Sequence, residues 1–301
     1  METKYFFGFH GWLPHTRTYI SEQEAESAIS TYEYLNAVLG IEESFDILKE
    51  NFVDFEKSLH SILVNSFALS DLNTVSYSKN ERYIIRVLTN FLTSCSSFLD
   101  HTNKILKDSL FDQKIFEETE NVRHSLFEEN DEYKVMYELR NILQHRNKPI
   151  SLEFNKQFAK NEDECAVESV SVVLDVKNVL FDENLKKYTR DVLLKYQDKK
   201  LEVNKFARKY FTCMCVYFKK IRVLEAETLK QKRMDYEVLF EKYEQLKTDP
   251  ANRIQRLIYL NKEEGDTLYG CTMSDSLIRD IDYLNKKNRL GKDYSRHEMR
   301  I

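Results

Sequence analysis

Glycine and proline are scarce in this sequence, with six glycines and three prolines among 301 residues. Because both residues build turns and interrupt helices, their scarcity argues against a turn-rich β-sandwich or β-barrel. Charged residues make up 32% of the chain and hydrophobic residues 42%, which is typical of long helices with one solvated face. We therefore expect a mainly α protein with enough apolar residues for one large core or two smaller ones.

The cysteines do not have the spacing of a disulfide framework, and their number, five, is odd. The chain also begins without the basic and then apolar segment of a secretory signal. Both features favour a reducing cytoplasm. Cys213 and Cys215 are too close together for one helical face to present both to a metal, so we expect them in the core or at its flank.

Long hydrophobic runs are absent as well, since none approaches the roughly 18 apolar residues of a membrane span. The net charge of −5 gives no general attraction to nucleic acid or to an anionic membrane. Any binding of nucleic acid must therefore come from local basic patches. Candidate patches are Lys186, Lys187 and Arg190, and Lys219, Lys220 and Arg222.

The first 150 residues carry the apolar periodicity of a helical bundle. The aromatic first twenty residues are expected to form an arm or short strand against it. Ser21 and Glu24 form a capping-box signature, and the helix they begin is expected to end before Gly40, with a second helix over about 41–69. A third helix follows, and residues 112–130 are expected to form a connection plus the start of the fourth helix, which ends at Asn147.

The second half of the chain combines a β signal with further helices. Val, Leu, Ile and Phe in partial alternation predict a β-hairpin over 150–176. Apolar residues spaced alternately four and three positions apart predict one long helix over about 201–247. Shorter helices are expected near 253–260 and 274–284. The predicted domains are a helical domain at 1–249, with its core at 20–150, and a helical extension at 250–301.

One stretch places an arginine, an asparagine and a histidine on a single amphipathic helix. Arg140, Asn141 and His145 lie on the polar arc of that helix. Pro149 ends it, and the last-turn position of His145 favours the protonated imidazole. The opposite, core-facing stripe consists of Val135, Met136, Leu139, Ile142 and Leu143.

These residue types suit chemistry at a phosphodiester. An imidazole moves a proton near neutral pH, and a guanidinium donates paired hydrogen bonds to a phosphate as its charge builds. In RNA, a 2′-hydroxyl deprotonated by His145 can attack the neighbouring phosphorus without a metal, while Asn141 holds either group in register. Because Arg140 and His145 lie about 140° apart around the helix, we expect a second copy across a two-fold axis to complete the site.

The run from Arg140 through Asn141 to His145 resembles the R-(N/D/H)-x3-H motif of the HEPN superfamily. The resemblance covers about residues 20–150, and the later helices only by their general bundle character. It implies a HEPN-like multi-helix bundle, here with a small β-hairpin and one long helix. It also implies a metal-independent endoribonuclease, active as a homodimer in toxin–antitoxin, abortive-infection or other antiviral defence systems. Arg140, Asn141 and His145 would be catalytic, and Asp100 is the candidate for the acidic residue on a neighbouring helix.

The expected partners are an RNA substrate, a second copy of the chain, and an antitoxin or regulatory protein, with no cofactor, metal or membrane. The alternative is a non-catalytic helical dimer scaffold that binds a protein partner through the same face and through the polar part of the long helix, at 227–235. Predicted RNA-binding residues are Tyr137, Gln144, Arg146 and Lys148.

Overall fold

A computed structural model of the chain describes residues 4–8, 18–69, 74–108, 110–145, 149–157, 167–244, 257–264 and 267–289. These residues are mainly helical, which confirms the predicted fold class. No helix among them carries an apolar stretch long enough to cross a membrane. In chain order the elements are β1 (Lys4–Gly8), β2 (Thr18–Ile20), α1 (Glu22–Leu69), α2 (Thr74–Leu106), α3 (Gln113–Glu129), α4 (Asp131–His145), β3 (Ile150–Gln157), β4 (Val167–Leu174), α5 (Val176–Leu180), α6 (Lys187–Leu194), β5 (Leu201–Glu202), α7 (Val203–Glu244), β6 (Leu257–Glu264), β7 (Thr267–Ser274) and α8 (Ser276–Lys287).

The chain divides into two compact units, and α1 and α7 contribute residues to both. On α7 the boundary between the units follows Ile221, and the remainder of the helix belongs to the same unit as α8. The predicted division at 249/250 lies outside the described residues and stays a prediction. Unit 1 contains the described residues of Met1–Glu43, Asn103–Phe116 and Arg222–Arg289, and unit 2 contains Ser44–Thr102 and Glu117–Ile221.

Helix α1 is longer than the sequence suggested. The predicted break at Gly40 is wrong, because α1 is a single helix of 48 residues that includes this glycine. One glycine inside a helix costs only about 1 kcal/mol relative to alanine. Val38 and Ile41, on either side of it, are buried, and apolar burial of this kind outweighs that cost.

The acidic segment at 112–130 is a helix of its own rather than a connection. Helix α3 begins after Asp112, whose carboxylate accepts a hydrogen bond from the Lys114 amide at 2.9 Å. Asn130 separates α3 from α4, since its side chain donates to the Leu126 carbonyl at 2.8 Å while its own carbonyl accepts from the Tyr133 amide at 3.1 Å. The predicted end of α4 at Asn147 lies outside the described residues, and α4 extends to His145.

Unit 2 contains the predicted hairpin. Strands β3 and β4 pair antiparallel with Leu152 opposite Val172, and β5 extends this sheet by pairing with β4. The hairpin between 150 and 176 is therefore confirmed. The sheet order is β3-β4-β5.

Unit 1 contains a sheet that the sequence did not predict. The prediction of a helix near 253–260 is wrong, because residues 257–264 form β6. This strand pairs antiparallel with both β7 and β1. A short apolar run has no periodicity that separates strand from helix, and here the pairing with β1 decides. The segment at 250–301 is therefore not purely helical, although α8 occupies most of the predicted 274–284 helix.

Candidate functional site

Helix α4 presents the motif from a firmly packed position in unit 2. All five residues of the predicted apolar stripe are buried, with Leu139 fully inaccessible. At the other end of the helix, Lys195 pairs with Asp131 at 2.6 Å. Thr189 of α6 donates a hydrogen bond to the Lys134 carbonyl at 3.3 Å. These contacts fix the rotation of α4 about its own axis.

Arg140 is half-buried rather than fully solvated. Its Nε is covered, and the structure gives that atom no hydrogen-bond partner among the described residues. A covered donor without an acceptor costs about 1–3 kcal/mol. In native proteins such a group marks stored strain or a role toward a ligand.

Asn141 is exposed and lies beside a carboxylate that sequence reasoning did not single out. Its Nδ2 donates to Glu138 Oε1 at 3.5 Å, and the Tyr188 hydroxyl donates to Glu138 Oε2 at 3.5 Å. Both contacts are long, at the limit for hydrogen bonds. Burial, followed by the negative charge of Glu138, raises the pKa of Tyr188 to about 12. Tyr188 therefore stays a donor at neutral pH.

Glu138 and Tyr188 differ in how far the sequence could reveal them. Glu138 and Asn141 are three residues apart, a spacing that makes neighbours on a helix. Tyr188 lies fifty residues further along, on α6, and joins the pair only because α4 packs against α6. No local pattern signals that contact.

His145 is the last residue of α4. Position 145 follows 141 by four residues and 138 by seven, so these three positions share one side of the helix. Arg140 lies elsewhere on the circumference. The side chains of Gln144 and His145, and residues Arg146 and Lys148 altogether, lie outside the described part of the chain.

The two remaining predicted residues lie on α2 and α4. Asp100 of α2 is exposed, and within the described residues no hydrogen bond or ion pair joins it to Arg140 or Asn141. Tyr137 of α4 is 43% exposed. Its ring centroid lies 6.3 Å from that of Phe127 and 6.5 Å from that of Tyr133. An exposed ring supported in this way can stack on a base.

The predicted basic patches are partly used in internal contacts. Arg190 donates to the carbonyls of Leu180 and Asp182, Lys220 pairs with Glu118 at 2.8 Å, and Arg222 pairs with Glu42. Exposed lysines remain at 186, 187 and 219. These patches therefore offer less charge to a nucleic acid than their sequence suggests.

Cys213 and Cys215 lie in the core, as predicted, and so does Cys95. Cys95, Cys213 and Cys215 are buried, and burial is the main reason that the pKa of Cys213 and of Cys215 rises to about 12. Thiols of this kind are poor nucleophiles at neutral pH. In the described residues no group of three or more His, Cys, Asp and Glu side chains could hold a metal ion.

No family model matches the chain, and no curated protein or solved structure is significantly similar to it. Any function of this site must therefore be judged from the chemistry of its own residues. A half-buried guanidinium, an exposed amide and a helix that ends in histidine are groups that suit the binding of a phosphodiester, whereas the Glu138 carboxylate repels one.

Proposed function

We propose that this protein is a metal-independent endoribonuclease of the HEPN type, acting as a cytoplasmic homodimer in toxin–antitoxin or anti-phage defence. One observation carries the proposal. The covered Nε of Arg140 has no acceptor in the described residues, and it lies next to exposed Asn141 on a helix that ends at His145. Phosphate and carboxylate oxygens are the acceptors that a guanidinium binds most strongly, and an RNA backbone supplies the first of these.

The proposed reaction needs only groups that the motif supplies. His145 takes the proton of a 2′-hydroxyl, whose oxygen then bonds to the adjacent phosphorus and displaces the 5′-oxygen. The products are a 2′,3′-cyclic phosphate and a 5′-hydroxyl, and a second, protonated imidazole gives the leaving oxygen its proton. Arg140 stabilises the charge on the phosphorane, and Asn141 keeps the strand in register.

A second copy of the chain is part of the mechanism. One α4 offers one imidazole position, whereas the reaction needs a base on one side of the phosphorus and an acid on the other. Two α4 helices related by a two-fold axis would supply both imidazoles and two guanidinium groups in one cleft.

Cleavage of end-labelled single-stranded RNA in EDTA tests the proposal. We expect products that end in a 2′,3′-cyclic phosphate, and a loss of rate of about 10²–10⁴-fold for His145→Ala, since that is the usual contribution of a general acid or base. The matched control is His60→Ala, a histidine exposed on α1, which should cleave at the wild-type rate.

Two results would reject the nuclease. The first is full cleavage by His145→Ala, and the second is full activity of a protein that sediments as a monomer under the assay conditions. A stable dimer without any cleavage of RNA would instead favour the scaffold that binds a protein partner.

A further inference from the structure

Unit 1 contains a cavity that the proposed nuclease does not use. It has a volume of about 470 Å³ and lies between α1, α7 and α8, within the 300–1,000 Å³ typical of small-molecule sites. Its walls combine apolar and charged side chains. Among them are Val38, Glu42, Arg222, Glu225, Leu229 and Met234.

One wall of the cavity contains an ion pair between Arg222 and Glu42. Arg222 binds Glu42 through two contacts, Nε to Oε1 at 2.7 Å and Nη2 to Oε2 at 2.5 Å. The third nitrogen, Nη1, donates to the Asn288 carbonyl at 3.2 Å. Because Glu42 is only 3% exposed, this guanidinium is needed to neutralise it. Arg222 is therefore committed to Glu42.

Glu225 is the unusual group of the cavity. The residue is 3% exposed, and its Oε1 is covered without a hydrogen-bond partner anywhere in the described ranges. Burial, followed by the charge of Glu42, raises its pKa to about 8. A covered carboxyl oxygen of this kind is costly unless a ligand provides the missing partner.

The other groups around Glu225 leave the cavity short of positive charge. From α1, Tyr34 faces it, and burial together with the charge of Glu225 raises the pKa of that hydroxyl. Arg233 of α7 is neutralised by Asp282 of α8, with contacts of 2.7 and 2.8 Å. After the two ion pairs are set aside, the charged wall residues are Glu225, Glu237 and Lys230, and α8 adds the neutral Asn285.

We infer that this cavity binds a small organic cation, a guanidinium or ammonium group on a short alkyl stem, with Glu225 as the anion that receives it. The cation supplies the hydrogen-bond donor that Oε1 lacks, and it separates two carboxylates that otherwise repel each other. The stem packs against Val38, Leu229 and Met234. An anionic ligand does not fit, because both arginines are already paired and the remaining charged wall residues are two acids, Glu225 and Glu237, and one base, Lys230.

Calorimetric titration of the full chain with ethylguanidinium chloride between pH 6 and 9 tests the inference. The probe keeps its charge throughout this range, so the pH dependence reports the protein. Binding requires ionised Glu225, and we expect Kd to fall about tenfold per pH unit below pH 8 and to level off above it. N-ethylurea, which has nearly the same shape but no charge, should bind at least about tenfold more weakly.

Two variants complete the design. Glu225→Gln should weaken binding of ethylguanidinium at least about tenfold and flatten the pH profile. Glu241→Gln, at an exposed residue of α7 that does not line the cavity, should change Kd by less than about twofold. If Glu225→Gln fails to fold, the wild-type pH profile and the N-ethylurea comparison still decide. The inference is overturned if no heat is seen with ethylguanidinium, if N-ethylurea binds equally well, or if the Gln variant binds as the wild type does. None of these outcomes depends on cleavage of RNA.

Discussion

The two units share the helices α1 and α7 but have different interiors. In unit 2 these helices and α2 bury phenylalanines against one another, with ring centroids 3.9 Å apart for Phe45 and Phe218 and 4.1 Å apart for Phe52 and Phe211. In unit 1 the same two helices bury a carboxyl group, Glu225, beside an ion pair. The first interior favours stability, whereas the buried, unpaired carboxyl group of the second costs some stability.

Buried charge by itself does not distinguish the two interiors. Unit 2 also has a well-covered ion pair, between Arg208 and Glu56, with contacts of 2.7 and 2.8 Å. That pair is complete, whereas Glu225 adds a second, unmatched acid beside the Glu42–Arg222 pair of unit 1. The contrast suggests that packing dominates the stability of unit 2, and that ionisation modulates the stability of unit 1.

The largest expected effect is on the aromatic interior. Phe91 is fully inaccessible and contacts the rings of Phe52, Phe55, Tyr210 and Phe211. Phe91→Ala should lower the free energy of unfolding by about 3–5 kcal/mol, because it removes buried area and leaves a cavity. Urea unfolding measures this.

The matched control for Phe91 is another phenylalanine. Phe181 is 85% exposed, so Phe181→Ala should change the free energy of unfolding by less than about 0.5 kcal/mol. Similar small effects of both substitutions would show that the interior of unit 2 does not dominate stability.

A smaller effect is expected from Glu225→Gln in unit 1, and it depends on pH. The ordinary pKa of 4.5 rises to about 8 in the folded protein, so between these values the folded state keeps a proton that the unfolded state releases. The free energy of unfolding of the wild type should therefore fall as pH rises through this window. The Gln variant has no proton to lose at this position. The free energy of unfolding of the variant minus that of the wild type should therefore be more positive at pH 8 than at pH 5, by on the order of 1–3 kcal/mol.

Thermal unfolding of both proteins across this pH range provides the measurement. Glu241→Gln serves as the control, since it removes an exposed carboxyl group of the same helix outside the cavity. A difference between wild type and Glu225→Gln that is the same at pH 5 and pH 8 would contradict the account of unit 1 as ionisation-sensitive.

The smallest effect on stability is expected at the candidate site in unit 2. Because Arg140 Nε forms no hydrogen bond within the described residues, Arg140→Ala should lower the free energy of unfolding by less than about 1 kcal/mol while cleavage of RNA collapses. Arg279→Ala is the matched control, since that side chain is 72% exposed. Loss of activity in step with a loss of several kcal/mol of stability would mean that Arg140 serves the fold.

Periodicity predicted the elements whose formation is decided locally. The face of α4, the length of α7 and the β3–β4 hairpin follow from apolar spacing within about 45 residues. The break at Gly40 was predicted wrongly because a local helix preference of about 1 kcal/mol is smaller than the effect of burial on both sides.

What the sequence did not reveal depends on contacts between distant residues. Strand β6 is decided by pairing with β1. At the site, the positions of Arg140 and Asn141 on α4 were predictable, but the contact of Glu138 with Tyr188 required the packing of α6. In the sequence, Glu225 lies next to the apolar residues of α7 and looks like an ordinary residue at the flank of the core. Only the packing of α1, which brings Glu42 close to it, makes it unusual.

The pairing of β1 with β6 also sets an order in time during synthesis. Lys4 lies opposite Glu263 in that sheet, so the ribosome must complete β6 before β1 can meet its second neighbour. At about 5–20 residues per second this takes on the order of tens of seconds. During that interval one edge of β1 is open to pairing with other nascent chains, and the risk of misassembly ends only when the last hairpin emerges.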